Sequence, residues 1–208
     1  ISGGDAHDRA VMGLLRAVAD AVVIGAGNLR AEGDHVWTAE RACPELAGDY
    51  ARLRAALGKP PAPLQVVVTG SGDVDLSRLV FSGVAPSLLV TTASGAAWLR
   101  EQGARVPIAV PRPEGGWIPL AGVLAAASLG PGALVLVESG PTSTTRFLAD
   151  GAVDELFLTR APILVGREGA VETLALVEGQ VFRPGALRGR LLSARRSGDF
   201  LFLRYATS

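Results

Sequence analysis

Ala133-Leu134-Val135-Leu136-Val137-Glu138-Ser139-Gly140-Pro141-Thr142-Ser143-Thr144 is the stretch that decides the fold. Its first five residues are apolar without polar alternation, as in a strand buried on both faces. Glu138 ends the run, and Ser139-Gly140 supplies a small, flexible corner. Pro141 and the hydroxyls after it read as the first turn of a helix, predicted from Thr142 to Leu148. A buried strand passing straight into a helix is the repeating unit of a parallel sheet covered on both sides.

The same alternation extends in both directions. Upstream, Val11, Leu14, Leu15 and Val18 recur at helical spacing and predict a helix from Asp8 to Val18. Ala21 to Ile24 is a buried strand. Glu45 to Leu57 is a helix stopped by Gly58 and the Pro60-Pro61 pair. Strands are expected at Leu64–Val68, Ser87–Val90 and Ile108–Val110, with helices at Gly95–Gln102 and Leu120–Ser128. Downstream, Glu155 to Thr159 is the next strand. Arg190–Arg196 and Phe200–Tyr205 flank Ser197-Gly198-Asp199 as a hairpin. The expected architecture is one α/β domain over residues 1–208, a mostly parallel central sheet ending in an antiparallel C-terminal hairpin.

Composition narrows the function classes. The 208 residues carry twenty acidic and twenty basic side chains, so no net field draws the chain to nucleic acid or an anionic membrane. The few aromatics do not interleave with a basic patch, which argues against a base-stacking surface. No apolar run approaches the roughly twenty residues of a membrane span. Cys43 is the single cysteine, which points to a reducing, cytoplasmic setting. His7 and His35 lie among polar residues without metal-ligand spacing, so no metal site is expected.

Three motifs carry candidate chemistry. Val23-Ile24-Gly25-Ala26-Gly27-Asn28-Leu29-Arg30 begins like a dinucleotide fingerprint, but Arg30 stands where the third glycine belongs. Gly25 and Gly27 either let a ligand approach the backbone closely or form a plain tight turn. In Leu136–Thr144, free N–H groups at the helix start suit a pyrophosphate, and Glu138 points into the crevice at the strand ends. The structural alternative is that Thr142 merely caps the helix and Glu138 is solvated. Asp154–Gly166 reads mainly as core.

Taken in order, these segments resemble the pyrimidine reductases of riboflavin biosynthesis, the C-terminal half of the bacterial deaminase–reductase. The helix–strand signature is Leu15 to Asn28, the strand–helix corner is Val137 to Thr142, and the D-E-L…L-T…A-P…G strand is Asp154 to Gly166. The resemblance implies a dihydrofolate reductase-like three-layer α/β/α fold and NADPH as cofactor. It also implies that Arg16 reaches the substrate's phosphate or ribose and that Glu138 meets its aminopyrimidine ring. Cofactor contacts would come from Gly25, Gly27, Asn28 and Glu32, and from Thr69, Thr91 and Thr92 beside the adenosine half. Gly140, Pro141, Thr142, Ser143, Thr144 and Thr145 would wrap the phosphates. A homodimer through the C-terminal strands is a habit of the family.

The departures are specific. Asn28 replaces the family's usual threonine, and Ser139-Gly140 replaces a glycine pair that relatives hold with a cis peptide. Glu32 to Trp37 lacks the proline-then-arginine pattern of riboflavin enzymes. The family's first strand would lie before Ile1. No basic residue follows Val68 directly, so preference for the 2′-phosphate cofactor comes from the resemblance alone. No catalytic acid or base stands out, consistent with hydride chemistry carried by a cofactor. Two other readings keep the fold: reduction of dihydrofolate or another pterin, and a non-catalytic nucleotide-binding relative.

Overall fold

The computed structural model describes residues 5–164, 175–183 and 187–207. Their contacts fall into two compact units, residues 9–140 and residues 1–8 with 141–208. In chain order the helices and strands of the first stretch are α1 (Ala6–Val18), β1 (Ala21–Gly25), α2 (Ala26–Ala31), α3 (Ala39–Ala42), α4 (Ala47–Ala56), β2 (Leu64–Thr69), β3 (Ser87–Thr91), α5 (Ala93–Glu101), β4 (Ile108–Ala109), α6 (Leu120–Ala127) and β5 (Val135–Glu138). After them come α7 (Pro141–Ala149), β6 (Glu155–Arg160), β7 (Arg190–Ser197) and β8 (Phe200–Ala206).

The unit of residues 9–140 is built on a wholly parallel five-stranded sheet in the order β4-β3-β2-β1-β5. All five residues of β1 are buried, so both faces are covered, and the continuous run Ala21–Ile24 is the sequence signature of that environment. One core gathers Val22, Ile24, Trp37, Val67, Leu89 and Leu99. Each such side chain contributes about 1.5–3 kcal/mol when fully buried. A second cluster joins Ala17, Ala39, Cys43 and Tyr50. Arg54, almost fully buried, donates from Nη1 to the carbonyls of Ala17 and Ala19, at 3.0 and 2.8 Å, and from Nε to Pro60 at 2.7 Å. A cation thereby satisfies the orphan carbonyls at the C-terminal end of α1.

The other unit holds α7 and a separate antiparallel sheet in the order β6-β8-β7. The expected hairpin forms between β7 and β8, with a register shift between Leu191 and Ser193. β6, read as another strand of the run, pairs antiparallel with β8 instead of extending the parallel sheet. The apolar strand Leu201–Tyr205 is therefore central in its sheet, and among the described residues only β6 and β7 present edges there.

Most elements expected from the sequence form within one or two residues of their predicted limits. Two do not match. Gly25-Ala26-Gly27 opens the short helix α2 where a turn is expected, and α3 forms where no element is predicted. The final Val165-Gly166 of the third motif lies outside the described residues. No helix among the described residues is long and apolar enough to cross a membrane.

Candidate active site at the carboxyl edge of the parallel sheet

From β1 the chain runs outward through β2, β3 and β4, then returns to the opposite side of β1 as β5. The order reverses between β1 and β5, and in open parallel sheets ligands bind outside the carboxyl ends of the strands at such a point. Register sets the residues there side by side: Ile24 is level with Glu138, Gly25 with Val68, and Thr69 with Thr91. Four neighbouring strand ends span about 14 Å at ordinary strand spacing.

At the reversal, Arg16 and Glu138 meet. They are 122 positions apart, yet Arg16 Nε donates to Glu138 Oε1 and Nη2 to Oε2, both at 2.7 Å. The pair is nearly enclosed, with side chains 7% and 12% exposed. A planar guanidinium fork matches a carboxylate in this bidentate way, and the contact neutralises two charges that neither side could bury alone. The edge of Arg16 expected to reach a substrate phosphate is thus turned to Glu138. The donors expected from a ligand for Glu138 are supplied first by Arg16. Asn28 closes the crevice from the other side, donating from Nδ2 to the Glu138 carbonyl at 2.8 Å. A Cβ on Gly140 would lie 3.3 Å from Asn28 Oδ1, so the small residue at 140 admits this contact. The Ser139-Gly140 peptide is trans, as are all peptide bonds among the described residues.

The loop after α2 completes the surroundings of Arg16. Arg16 Nη1 lies 3.2 Å from His35 Nε2 and 3.4 Å from the Thr38 carbonyl, to which it donates. The His35 ring stands edge-on to Trp37, with centroids 4.9 Å apart. Burial, and then the Arg16 cation, lower the His35 pKa from its ordinary value. Glu32 is exposed at the end of α2. Neither His35 nor Gln65 was singled out by sequence reasoning. Gln65 is fully buried, accepts from the Trp37 N–H at 2.9 Å and donates back to the Trp37 carbonyl at 3.3 Å. An amide inside the apolar strand Leu64–Val68 was the available signal, because a buried polar side chain demands partners.

At β2 and β3 the expected threonines hold two loops together. Thr69 Oγ1 accepts from the Gly72 N–H at 3.1 Å. Thr92 caps α5 by accepting from the Gly95 N–H and donates to the Gly70 carbonyl at 2.7 Å. Gly72 has φ of +80°, and a Cβ there would lie 2.5 Å from the Gly95 carbonyl oxygen, so a larger residue is excluded twice over. Thr91 Oγ1 is buried with no hydrogen-bond partner. No atom lies within 4 Å of a Cβ built on Gly27 or Gly70, which leaves open space over both backbones. The open space over Gly27 and Gly70 fits the close backbone approach that an extended dinucleotide needs.

Across the boundary into the other unit, Pro141 to Thr145 form the first turns of α7. Thr142 is exposed, and Ser143 and Thr144 are half-buried. Thr145 is buried, and its hydroxyl donates to the Pro141 carbonyl and accepts from the Glu178 N–H, each at 2.7 Å. Those bonds occupy the Thr145 hydroxyl within its own unit.

Solved structures share this architecture. A pyrimidine reductase-like protein from Corynebacterium diphtheriae is 25% identical over all of this chain and 86% of its own, with a TM-score of 0.74. RibD from Acinetobacter baumannii is 20% identical, TM-score 0.70, and this chain spans 52% of its length. The riboflavin biosynthesis reductase of Saccharomyces cerevisiae is 13% identical over all of this chain and 84% of its own, TM-score 0.68. No curated protein matches the sequence significantly. The family model of the RibD C-terminal domain matches residues 1–200, and with the resemblance read from three motifs now met by fold and by model, the chain belongs to that family.

Proposed function

We propose that this chain is an NADPH-dependent reductase acting on a ribosylamino-pyrimidine, a 5-amino-6-(5-phosphoribosylamino)uracil reductase-like enzyme of riboflavin biosynthesis. The observation that carries the reading is the enclosed Arg16–Glu138 pair at the strand-order reversal. A carboxylate offers about four lone-pair directions, and Arg16 takes two of them. The remaining two face the amino and ring N–H donors of an aminopyrimidine. Arg16 fixes the plane of the carboxylate, so an aminopyrimidine ring would be received in one orientation.

The residues that would hold the dinucleotide are Gly25, Gly27, Asn28 and Glu32 at β1, with Thr69, Thr91 and Thr92 toward the adenosine half. Gly140, Pro141, Thr142, Ser143, Thr144 and Thr145 would serve its phosphates. When bound, NADPH supplies the hydride, and the protein's task is to orient and to exclude water. The chain works in the cytoplasm as a homodimer, assembled through the β7 edge or a face of the antiparallel sheet, since β8 has both its edges paired. Following nicotinamide fluorescence on titration with NADPH, then its oxidation on adding each substrate, tests the reading. Turnover of the ribosylamino-pyrimidine supports it. Turnover of dihydrofolate alone moves the chain to the pterin reading, and absence of NADPH binding at millimolar concentration overturns both.

A further inference from the structure

Arg16 is held from two sides, and only one side is Glu138. On the other, Nη1 faces His35 Nε2 at 3.2 Å. A guanidinium can only donate, so Nε2 accepts, and the imidazole in this contact is neutral with its proton on Nδ1. The backbone that carries His35 is pinned at both ends. Asp34 Oδ1 accepts from the Leu79 N–H at 2.7 Å, and Gln65 clips the peptide of Trp37. These bonds hold the loop against withdrawal from Arg16. We infer that His35 is a positioning residue: neutral, it locks the Arg16 fork square to Glu138, and protonated, it releases that fork and disables substrate capture.

The groups facing His35 come from four elements. Arg16 on α1 and Arg41 on α3 disfavour the imidazolium; Glu32 at the end of α2 and Glu138 at the end of β5 favour it. Burial and Arg16 outweigh the carboxylates, and the pKa falls below the ordinary imidazole range. Protonating Nε2 would set donor against donor and cation against cation beside a side chain that is only 7% exposed. The ring is braced edge-on by the buried Trp37, so in the proposed lock the repulsion falls on the Arg16 fork. A turn of that fork would misalign both bonds to Glu138.

This inference rests on the reading that Arg16 and Glu138 hold the substrate, and the test separates the two. NMR titration of the wild-type protein follows the His35 ring and the Arg16 Nε–H together. Both should move with one midpoint, and His35→Gln, which keeps an acceptor that does not titrate, should leave the Arg16 signal independent of pH. In kinetics, kcat/KM for the ribosylamino-pyrimidine should fall on the acid side with that same midpoint. At pH 8, His35→Phe should lose about tenfold in kcat/KM, mostly through KM, as expected for one lost hydrogen-bond acceptor, with NADPH affinity unchanged. His35→Gln should restore most of the loss and flatten the acid limb. An Arg16 signal indifferent to His35 titration, or an acid limb that survives in His35→Gln, overturns the inference. If the wild type reduces no ribosylamino-pyrimidine at any pH, the functional reading falls, and the coupled NMR titration alone upholds or overturns the lock.

Discussion

Two arginine–glutamate contacts among the described residues share one chemistry in different settings. Arg16 and Glu138 form a bidentate pair with side chains 7% and 12% exposed. Arg204 and Glu155 form another across β8 and β6, with side chains 45% and 32% exposed. The first lies where strand order reverses, with Asn28 and His35 against it. The second lies on an antiparallel sheet open to water. Geometry alone would rank them equally; burial separates them. An exposed pair exchanges one good hydration for one modest attraction. A buried pair holds two charges that cannot be left singly, and so fixes its surroundings in one arrangement.

The largest effect should follow from breaking the buried pair. Glu138→Gln leaves the Arg16 cation enclosed without its counter-charge and should cost about 3–5 kcal/mol of stability in a denaturant titration. Turnover, measured where the variant is still folded, should drop roughly thirty- to thousandfold in kcat/KM, because a donor then faces the substrate's donors. The double replacement Arg16→Met with Glu138→Leu sharpens the point. Stability should return to within about 2 kcal/mol of wild type, as for other buried pairs exchanged for apolar residues, while turnover stays lost. Recovery of turnover in the double variant would make the pair structural and break its assignment to substrate.

Arg54 is a buried cation of another kind, paired with carbonyls and not with a carboxylate. Its Nη1 donates to three carbonyls around the end of α1 and its Nε to Pro60, so Arg54→Met strands several acceptors at once. We expect a loss of about 2–3 kcal/mol in the same denaturant titration, with kcat/KM of the folded fraction unchanged. A change in kcat/KM would mean that the end of α1, and with it Arg16, had shifted.

These contrasts mark what could be read without coordinates. The parallel sheet was legible because Ala21–Ile24, Leu64–Val68 and Ala133–Val137 are largely apolar runs bounded by glycine, proline or polar residues, a local signal. Helix α2 was hidden by Gly25 and Gly27, which ordinarily punctuate; a helix starting with alanine and glycine is chosen by packing of Leu29. That β6 leaves the parallel sheet was also beyond reach, since strand pairing is a long-range choice. Glu138 was singled out by its place at a strand end and Arg16 through the family resemblance, but no spacing joins residues 122 positions apart. His35 was judged by metal spacing alone, a test that does not register its contact with Arg16.

A smaller effect concerns acid stability of the same region. Because burial and Arg16 lower the folded pKa of His35, the unfolded chain takes up the proton first as pH falls. The His35 contribution is therefore fully present above the unfolded value of about 6.5 and is lost as pH drops from there through the folded pKa. Stability measured from pH 8 to pH 5 should decline more in the wild type than in His35→Gln. Equal declines would show that His35 does not sense the Arg16 cation.

The smallest effect should come from the exposed pair, and its two halves should differ. The hydrogen bond from Arg204 lowers the Glu155 pKa, so any stabilisation is present above the unfolded carboxylate pKa and fades as pH falls through the folded one. Water and salt screen a pair this open, and Glu155→Gln should leave the thermal midpoint unchanged at neutral pH and in 1 M salt alike. Arg204 has a second contact that Glu155 lacks. Its guanidinium carbon lies 5.5 Å from the centre of the Phe157 ring, directly opposite it in register. Arg204→Ala should therefore lower the midpoint by a degree or two where Glu155→Gln does not, and Arg204→Lys should fall between them, since a lysine keeps the stem and loses the planar fork. If Glu155→Gln proves as costly as Arg204→Ala, the exposed pair is held as firmly as the buried one, and burial is not what distinguishes them.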